Sequence, residues 1–306
     1  MVQICEFRIS MPYTLEEYQA AQSFMVMKMQ QESSTSEEGV EVLENRPFEN
    51  EELGKGQYTR KIYHFASKVP VWLAAVAPAA VLQMEEEAWN AYPRCRTIIK
   101  CPYFTSFSIT IESNHAPDQG TSENLLDLND QDLSLRVIDH VDIAAPAPAA
   151  DAWYVEVGKD EPSEFVSKKT GRGPLNEGWQ RTSDPIMTAY KLVRVDAPIW
   201  AIGWKLEQAV IQAERALFLA SHKRSFCWMD DWHGLTMEQL RKMEKKNDQE
   251  LNKKRGIVDS SQDAATKSTM IEAASLAGSK IDQETGLAAV DGNDRSQGAQ
   301  RVAVPA

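Results

Sequence analysis

The chain has 306 residues, 42% of them hydrophobic, an ordinary content for a globular protein and enough for one large domain or two. Its formal net charge is −12, which argues against nucleic acid and against electrostatic anchoring on anionic membranes, since both select clustered Lys and Arg. No stretch reaches the roughly 20 uninterrupted apolar residues of a membrane span, and Cys5, Cys95, Cys101 and Cys227 contain no CxxC pair, so neither a zinc site nor a disulfide framework is supported.

In chain order, the first strand-like alternation is Cys5 to Ser10, and the N-terminus from Met1 to Ser10, with Glu6 and Arg8, lacks a signal-peptide core. A cytoplasmic protein with reduced thiols is therefore expected. Thr14 to Glu17 is a capping box, with Thr14 as N-cap and Glu17 at the third helical position. The helix it opens, Thr14 to Met29, has a buried-face stripe of Leu15, Tyr18, Gln22, Met25 and Met29 that only Gln22 interrupts. Strands follow at Gly39 to Leu43 and Gln57 to Ala66. On the second, Thr59 and Lys61 share a face with Tyr63 and Phe65. Val69 to Leu82 is the longest apolar run, broken by Pro70 and Pro78; it is too short to span a membrane and reads either as a gate that dips into one or as a buried helix. Further alternation at Ala91 to Ile99, Thr105 to Ser113 and Leu133 to Ile143 predicts a mostly antiparallel sheet, and the second of these places Thr105, Phe107, Ile109, Ile111 and Ser113 on one face.

Met187 to Val195 is the clearest strand. Met187, Ala189, Lys191, Val193 and Val195 share one face, which puts an ammonium on an apolar surface. Trp204 to Arg224 has the stripe Leu206, Val210, Ala213, Leu217 and Ala220 of a long helix packed on one side. A last helix starts at Thr236, whose capping box closes with Gln239 while Leu235 and Leu240 form a hydrophobic staple. The body ends near Arg255. Residues 256–306 hold no aromatic side chain and seven acids against four bases, a composition expected to form a disordered tail, and they leave 38 acids against 29 bases in residues 1–255.

A polar group on an apolar face is ordinarily a core residue satisfied by a neighbour. Four such segments in one chain, two of them carrying lysines, read together as the lining of a cavity: Lys61 and Lys191 with hydroxyls and amides suit a phosphate and a polyol, and the apolar faces suit hydrocarbon.

The strings GQYTRKIYH (Gly56 to His64), SKVP (Ser67 to Pro70), WNAYPRCRT (Trp89 to Thr97), PDQGTSEN (Pro117 to Asn124), KTGRGPL (Lys169 to Leu175), AYKLV (Ala189 to Val193) and FCWMDDW (Phe226 to Trp232) resemble those of the phosphatidylinositol transfer proteins, in order and near-constant spacing up to about Arg255. The resemblance implies an α+β, START-like helix-grip fold, a curved antiparallel sheet around a long C-terminal helix. It also implies a non-enzymatic monomer, without metal or cofactor, that carries one phosphatidylinositol or phosphatidylcholine between membranes it touches transiently. Carried over by residue, the inositol contacts fall on Thr59, Lys61, Asn90 and Glu244 and the phosphate contacts on Gln22, Thr97, Ser113 and Lys191. Asn90 and Glu244 rest on the resemblance alone.

Some positions depart from the family pattern. Ile199 and Trp200 stand where animal members carry a Trp-Trp pair, which implies weaker membrane contact through that loop, shared with Val71, Trp72 and Leu73 of the apolar run. Ser113 replaces a threonine. Ser167, followed by Lys168 and Lys169, matches a serine that relatives can have phosphorylated, and otherwise reads as an exposed loop serine. Two rival readings are an adaptor that presents phosphatidylinositol to a kinase, and an enzyme using Asp139, His140 and Asp142 or Asp230, Asp231 and His233 as metal or acid-base groups.

Overall fold

The computed structural model describes residues 2–65, 83–145, 160–199 and 202–257. The chain divides into two units, Met1–Val258 and Asp259–Ala306. The second unit, Trp200, and Val71, Trp72 and Leu73 with the rest of the apolar run lie outside the described residues.

The strands are β1 (Gln3–Met11), β2 (Gly39–Asn50), β3 (Gly54–His64), β4 (Gln83–Ala91), β5 (Arg94–Lys100), β6 (Ser108–Ala116), β7 (Val137–Val141) and β8 (Met187–Asp196). They form one curved, unclosed sheet in the order β2-β3-β4-β5-β6-β8-β1-β7. The helices are α1 (Leu15–Ser33), α2 (Asp130–Leu135), α3 (Gly203–Cys227), α4 (Met229–Trp232) and α5 (Met237–Lys254). The long helix α3 packs on β1, β7 and β8 and on α1, while α5 packs on α1 and β2. This is the α+β helix-grip arrangement the sequence implied.

Local chemistry explains the helix starts. Thr14 Oγ1 accepts from Glu17 N at 3.1 Å and Glu17 Oε2 accepts from Thr14 N at 2.9 Å, which closes the capping box of α1. Thr236 and Gln239 do the same for α5 at 3.2 and 2.8 Å. Each box satisfies amides that no intrahelical carbonyl can reach.

The sheet is buried on both faces at its centre. Toward α3, Phe7 meets Phe218 edge-on with ring centroids 5.4 Å apart. On the opposite face of β1, Glu6 is 1% exposed and accepts from Arg8 Nε and Arg136 Nη1 at 2.7 Å each, beside the small cluster of Ile4, Leu128 and Leu192. A buried carboxylate is tolerable there because it is paired twice.

The structure corrects four expectations. The stretch Ala91 to Ile99 is a hairpin, with β4 ending at Ala91 and β5 beginning at Arg94, because Pro93 has no amide to donate. Strand β6 starts only at Ser108, since Phe107 N turns back to Phe104 O. Leu133 to Ile143 opens as the end of α2, whose N-cap Asn129 accepts from Asp132 N at 2.9 Å, before β7 begins at Val137. The sheet is also mixed, since β7 runs parallel to β1.

Candidate functional site

Strand register arranges polar and apolar groups in rows across the sheet. Asn90, Cys95, Ser113 and Lys191 are consecutive partners over β4, β5, β6 and β8. Two residues along, the row is Thr59, Ala88, Thr97, Ile111 and Val193. Two further, it is Lys61, Glu86, Ile99, Ile109 and Val195. Polarity thus falls from the first row to the third over β5, β6 and β8, and persists only at the β3–β4 side, where Lys61 and Glu86 face each other. The period of two keeps each set on a single face.

The helices repeat the gradient. On α3, Ser221 and His222 lie at one end of the cavity wall and Leu217, Ala213, Val210 and Leu206 follow toward the other, with Glu214 between. Helix α1 contributes Gln22, Met25 and Met29, and α5 contributes Arg241, Glu244, Asn247 and Asp248. Together these elements enclose a cavity of about 860 Å³, toward the upper end of the roughly 300–1,000 Å³ usual for ligand pockets.

Burial governs its electrostatics. Lys191 is 7% exposed, and desolvation holds its ammonium below the usual lysine range. Its Nζ sits 5.3 Å from the Phe218 ring centroid. Among the described residues neither Lys61 nor Lys191 has a hydrogen bond or ion pair. Burial pushes the Cys95 thiol up to about 12, so it is a neutral neighbour. The Glu214 carboxyl is pushed up to about 7 by burial and by Glu86, with Lys191 acting the other way. Glu86 is itself raised by burial, against the pull of Lys61 and the Tyr63 hydroxyl.

Two imidazoles close the polar end. Burial, reinforced by Lys191, depresses His115 and His222 to about 3, so both are neutral. Their Nδ1–H groups donate to Pro93 O at 2.5 Å and Phe218 O at 2.7 Å, because a carbonyl can only accept. Nε2 is then the acceptor on each ring: that of His222 takes the Tyr18 hydroxyl at 2.9 Å. The polar end therefore presents two neutral imidazoles, a neutral thiol, the Lys191 ammonium and the Ser113 hydroxyl.

All eight candidate contact residues line this one cavity: Thr59, Lys61, Asn90 and Glu244, and Gln22, Thr97, Ser113 and Lys191. Ile199 also lines it. Sequence reading missed Glu86, His115, Glu214, His222 and Asn247. The signal for Glu214 was present, since Val210, Glu214, Leu217 and Ser221 follow helical spacing on the lining face.

Ser167 lies apart from the cavity and is not an exposed loop residue. It is 1% exposed, its hydroxyl donates to Asp230 Oδ1 at 2.6 Å, and the amides of Lys168 and Lys169 donate to the same carboxylate at 3.0 and 3.1 Å. The two clusters considered for enzymatic chemistry are engaged structurally. Asp139 accepts from Arg215 Nε at 2.8 Å, Asp142 accepts from Trp179 Nε1 at 2.9 Å, Asp231 pairs with Lys28 at 2.9 Å, and His233 lies 3.2 Å from Glu17. Among the described residues no group of three His, Cys, Asp or Glu is disposed to hold a metal, and no helix is long and apolar enough to cross a membrane.

Residues 2–249 match the family model described as phosphatidylinositol transfer protein. The chain is 42% identical over 253 residues to phosphatidylinositol transfer protein 5 of Dictyostelium discoideum, covering 82% of this chain and 86% of that one. It is 39% identical over 254 residues to cytoplasmic phosphatidylinositol transfer protein 1 of Drosophila melanogaster, covering 83% and 92%. It is 41% identical over 246 residues to membrane-associated phosphatidylinositol transfer protein 1 of Homo sapiens, covering 79% of this chain and 20% of that longer one. By the extent of these matches, the chain belongs to the phosphatidylinositol transfer protein family.

Proposed function

We propose that this protein holds one phospholipid, phosphatidylinositol or phosphatidylcholine, in the cavity and exchanges it between membranes. The observation that carries this reading is the polarity gradient of a single cavity of about 860 Å³, from the Asn90, Cys95, Ser113 and Lys191 row to a wall of Ile99, Ile109, Leu206 and Val210. A headgroup and two acyl chains have the same division. Gln22, Thr97, Ser113 and Lys191 take the phosphate, since hydroxyl, amide and ammonium groups all donate to its oxygens. Thr59, Lys61, Asn90 and Glu244 take the inositol hydroxyls, donors and acceptors alike.

Two acyl chains contain on the order of 30 methylenes, and at about 0.8 kcal/mol each their exposure to water costs roughly 25 kcal/mol. A carrier removes that barrier when it opens at the bilayer surface. Ile199, Trp200, Val71, Trp72 and Leu73 are the proposed contacts there, where Trp is favoured. Choline has no hydroxyl for the polyol-binding groups, so phosphatidylinositol is held more tightly than phosphatidylcholine. The protein acts as a cytoplasmic monomer without metal or cofactor, moving cargo without transforming it.

The test is transfer of phosphatidylinositol and phosphatidylcholine between vesicles with no kinase present, together with mass spectrometry of lipid that co-purifies with the protein. One phospholipid per chain and transfer of both lipids are expected. A protein that purifies without phospholipid and moves neither lipid overturns the proposal.

A further inference from the structure

Helix α5 is pinned at two positions, Leu240 at 2% exposure in the main core and Leu251 at 0% beside Val40 and Val42. Asn247 lies between them, 1% exposed, and lines the cavity. Among the described residues neither its Nδ2 nor its Oδ1 has a hydrogen-bond partner. Its lining neighbours on the helix are served: Glu244 accepts from Arg241 Nη1 at 2.6 Å and Asp248 accepts from Asn45 Nδ2 at 2.7 Å.

A buried amide with both ends unmade is rare enough in folded proteins to require a reason. An apolar side chain would fill the same space without that penalty. Leu240 and Leu251 hold this stretch of helix against the core, so Asn247 stays on the lining side. It requires a partner that accepts at one point and donates at a neighbouring one. A phosphate only accepts and would leave Oδ1 unmade, and a quaternary ammonium does neither. Adjacent hydroxyls of a polyol do both.

We infer that Asn247 is a headgroup-selecting residue, its Nδ2 donating to one hydroxyl of a polyol headgroup and its Oδ1 accepting from the next. The placement fits, since Asn247 follows Glu244 by three residues and so lies about one turn along the same helix face. The inference rests on the carrier reading above and adds a discriminating contact beyond the eight candidate residues.

The experiment compares vesicle transfer of phosphatidylinositol and phosphatidylcholine by the wild-type chain, Asn247→Leu and Asn247→Ala, with melting curves of each delipidated protein. Two neutral hydrogen bonds correspond to about a tenfold loss. Phosphatidylinositol transfer is therefore expected to fall about tenfold in both variants, while phosphatidylcholine transfer stays within about twofold and so reports an intact fold. Unchanged phosphatidylinositol transfer, or an equal loss for both lipids in both variants, overturns the inference and leaves the carrier reading standing. Wild-type protein that moves neither lipid overturns both.

Discussion

Lys191→Met separates the demands of folding from those of carriage. Lys191 is 7% exposed, between Ser113 and Phe7 in the sheet register, with its ammonium 5.3 Å from the Phe218 ring centroid. The groups that favour its charge are a thiol held at about 12 and a carboxyl held at about 7, so it has no fully ionised partner at neutral pH. Replacing a poorly compensated buried charge by an apolar side chain of similar length gains on the order of 1–4 kcal/mol. Taking about 2 kcal/mol, and roughly 2–4 °C per kcal/mol for a domain of this size, the delipidated variant is expected to melt about 4–8 °C higher than wild type. Loss of a charge-assisted bond to phosphate removes about 1.5–3 kcal/mol, which lowers lipid affinity roughly 10- to 150-fold. Calorimetry of delipidated protein and a vesicle transfer assay read the two effects separately. A variant that melts lower than wild type yet transfers lipid at the wild-type rate would show that Lys191 serves the fold and not the cargo.

Thr59→Ala removes one neutral hydroxyl, 4% exposed, from the polyol end, and is expected to lower phosphatidylinositol transfer about fivefold with phosphatidylcholine unchanged. Equal losses for the two lipids refute the assignment. Glu214, raised from 4.5 to about 7 in the folded chain, favours folding below pH 4.5 and loses that contribution as pH rises through 7. The loss is worth about 3 kcal/mol in lipid-free protein. Denaturant titrations of Glu214→Gln and wild type should therefore diverge between pH 4.5 and 8 in favour of the variant, and a constant gap would contradict the assigned shift. Ser167→Glu sets a carboxylate against Asp230 where a hydroxyl now donates at 2.6 Å. The variant should release Lys168 and Lys169 to trypsin, and an unaltered cleavage pattern refutes the role given to that contact.

Much of the fold was readable because local chemistry and long-range packing agree. The capping boxes at Thr14 and Thr236 and the period-two face of Met187 to Val195 carry their meaning in a few residues. Strand β4 did not. Its inward residues Met84, Glu86, Ala88 and Asn90 alternate correctly, but Glu85, Glu86 and Glu87 together read as a solvated run, and only pairing with Lys61 makes an inward Glu86 intelligible. Pairing of β7 with β1 was hidden for a similar reason. Parallel neighbours are joined through distant chain, and nothing in Val137 to Val141 announces its partner.

The site was legible where a polar residue interrupts an apolar strand face, since only two neighbours of each kind are needed to recognise the exception. Lys61, Lys191, Thr59 and Ser113 stood out this way. On helices the same exception is harder to see, because the lining face is one stripe among several and a polar residue shifts to another face with a small rotation. Glu214 and Asn247 were lost to that ambiguity, and both are nearly inaccessible to solvent. A buried polar group is tolerated only when something repays its desolvation. Asn247 has no partner for its amide, Lys191 and Glu214 are buried with weak countercharge, Lys61 faces Glu86, and all four line the same cavity. A core built for stability alone would favour apolar residues at these positions, so their concentration in one place supports the proposal that the wall serves a polar guest.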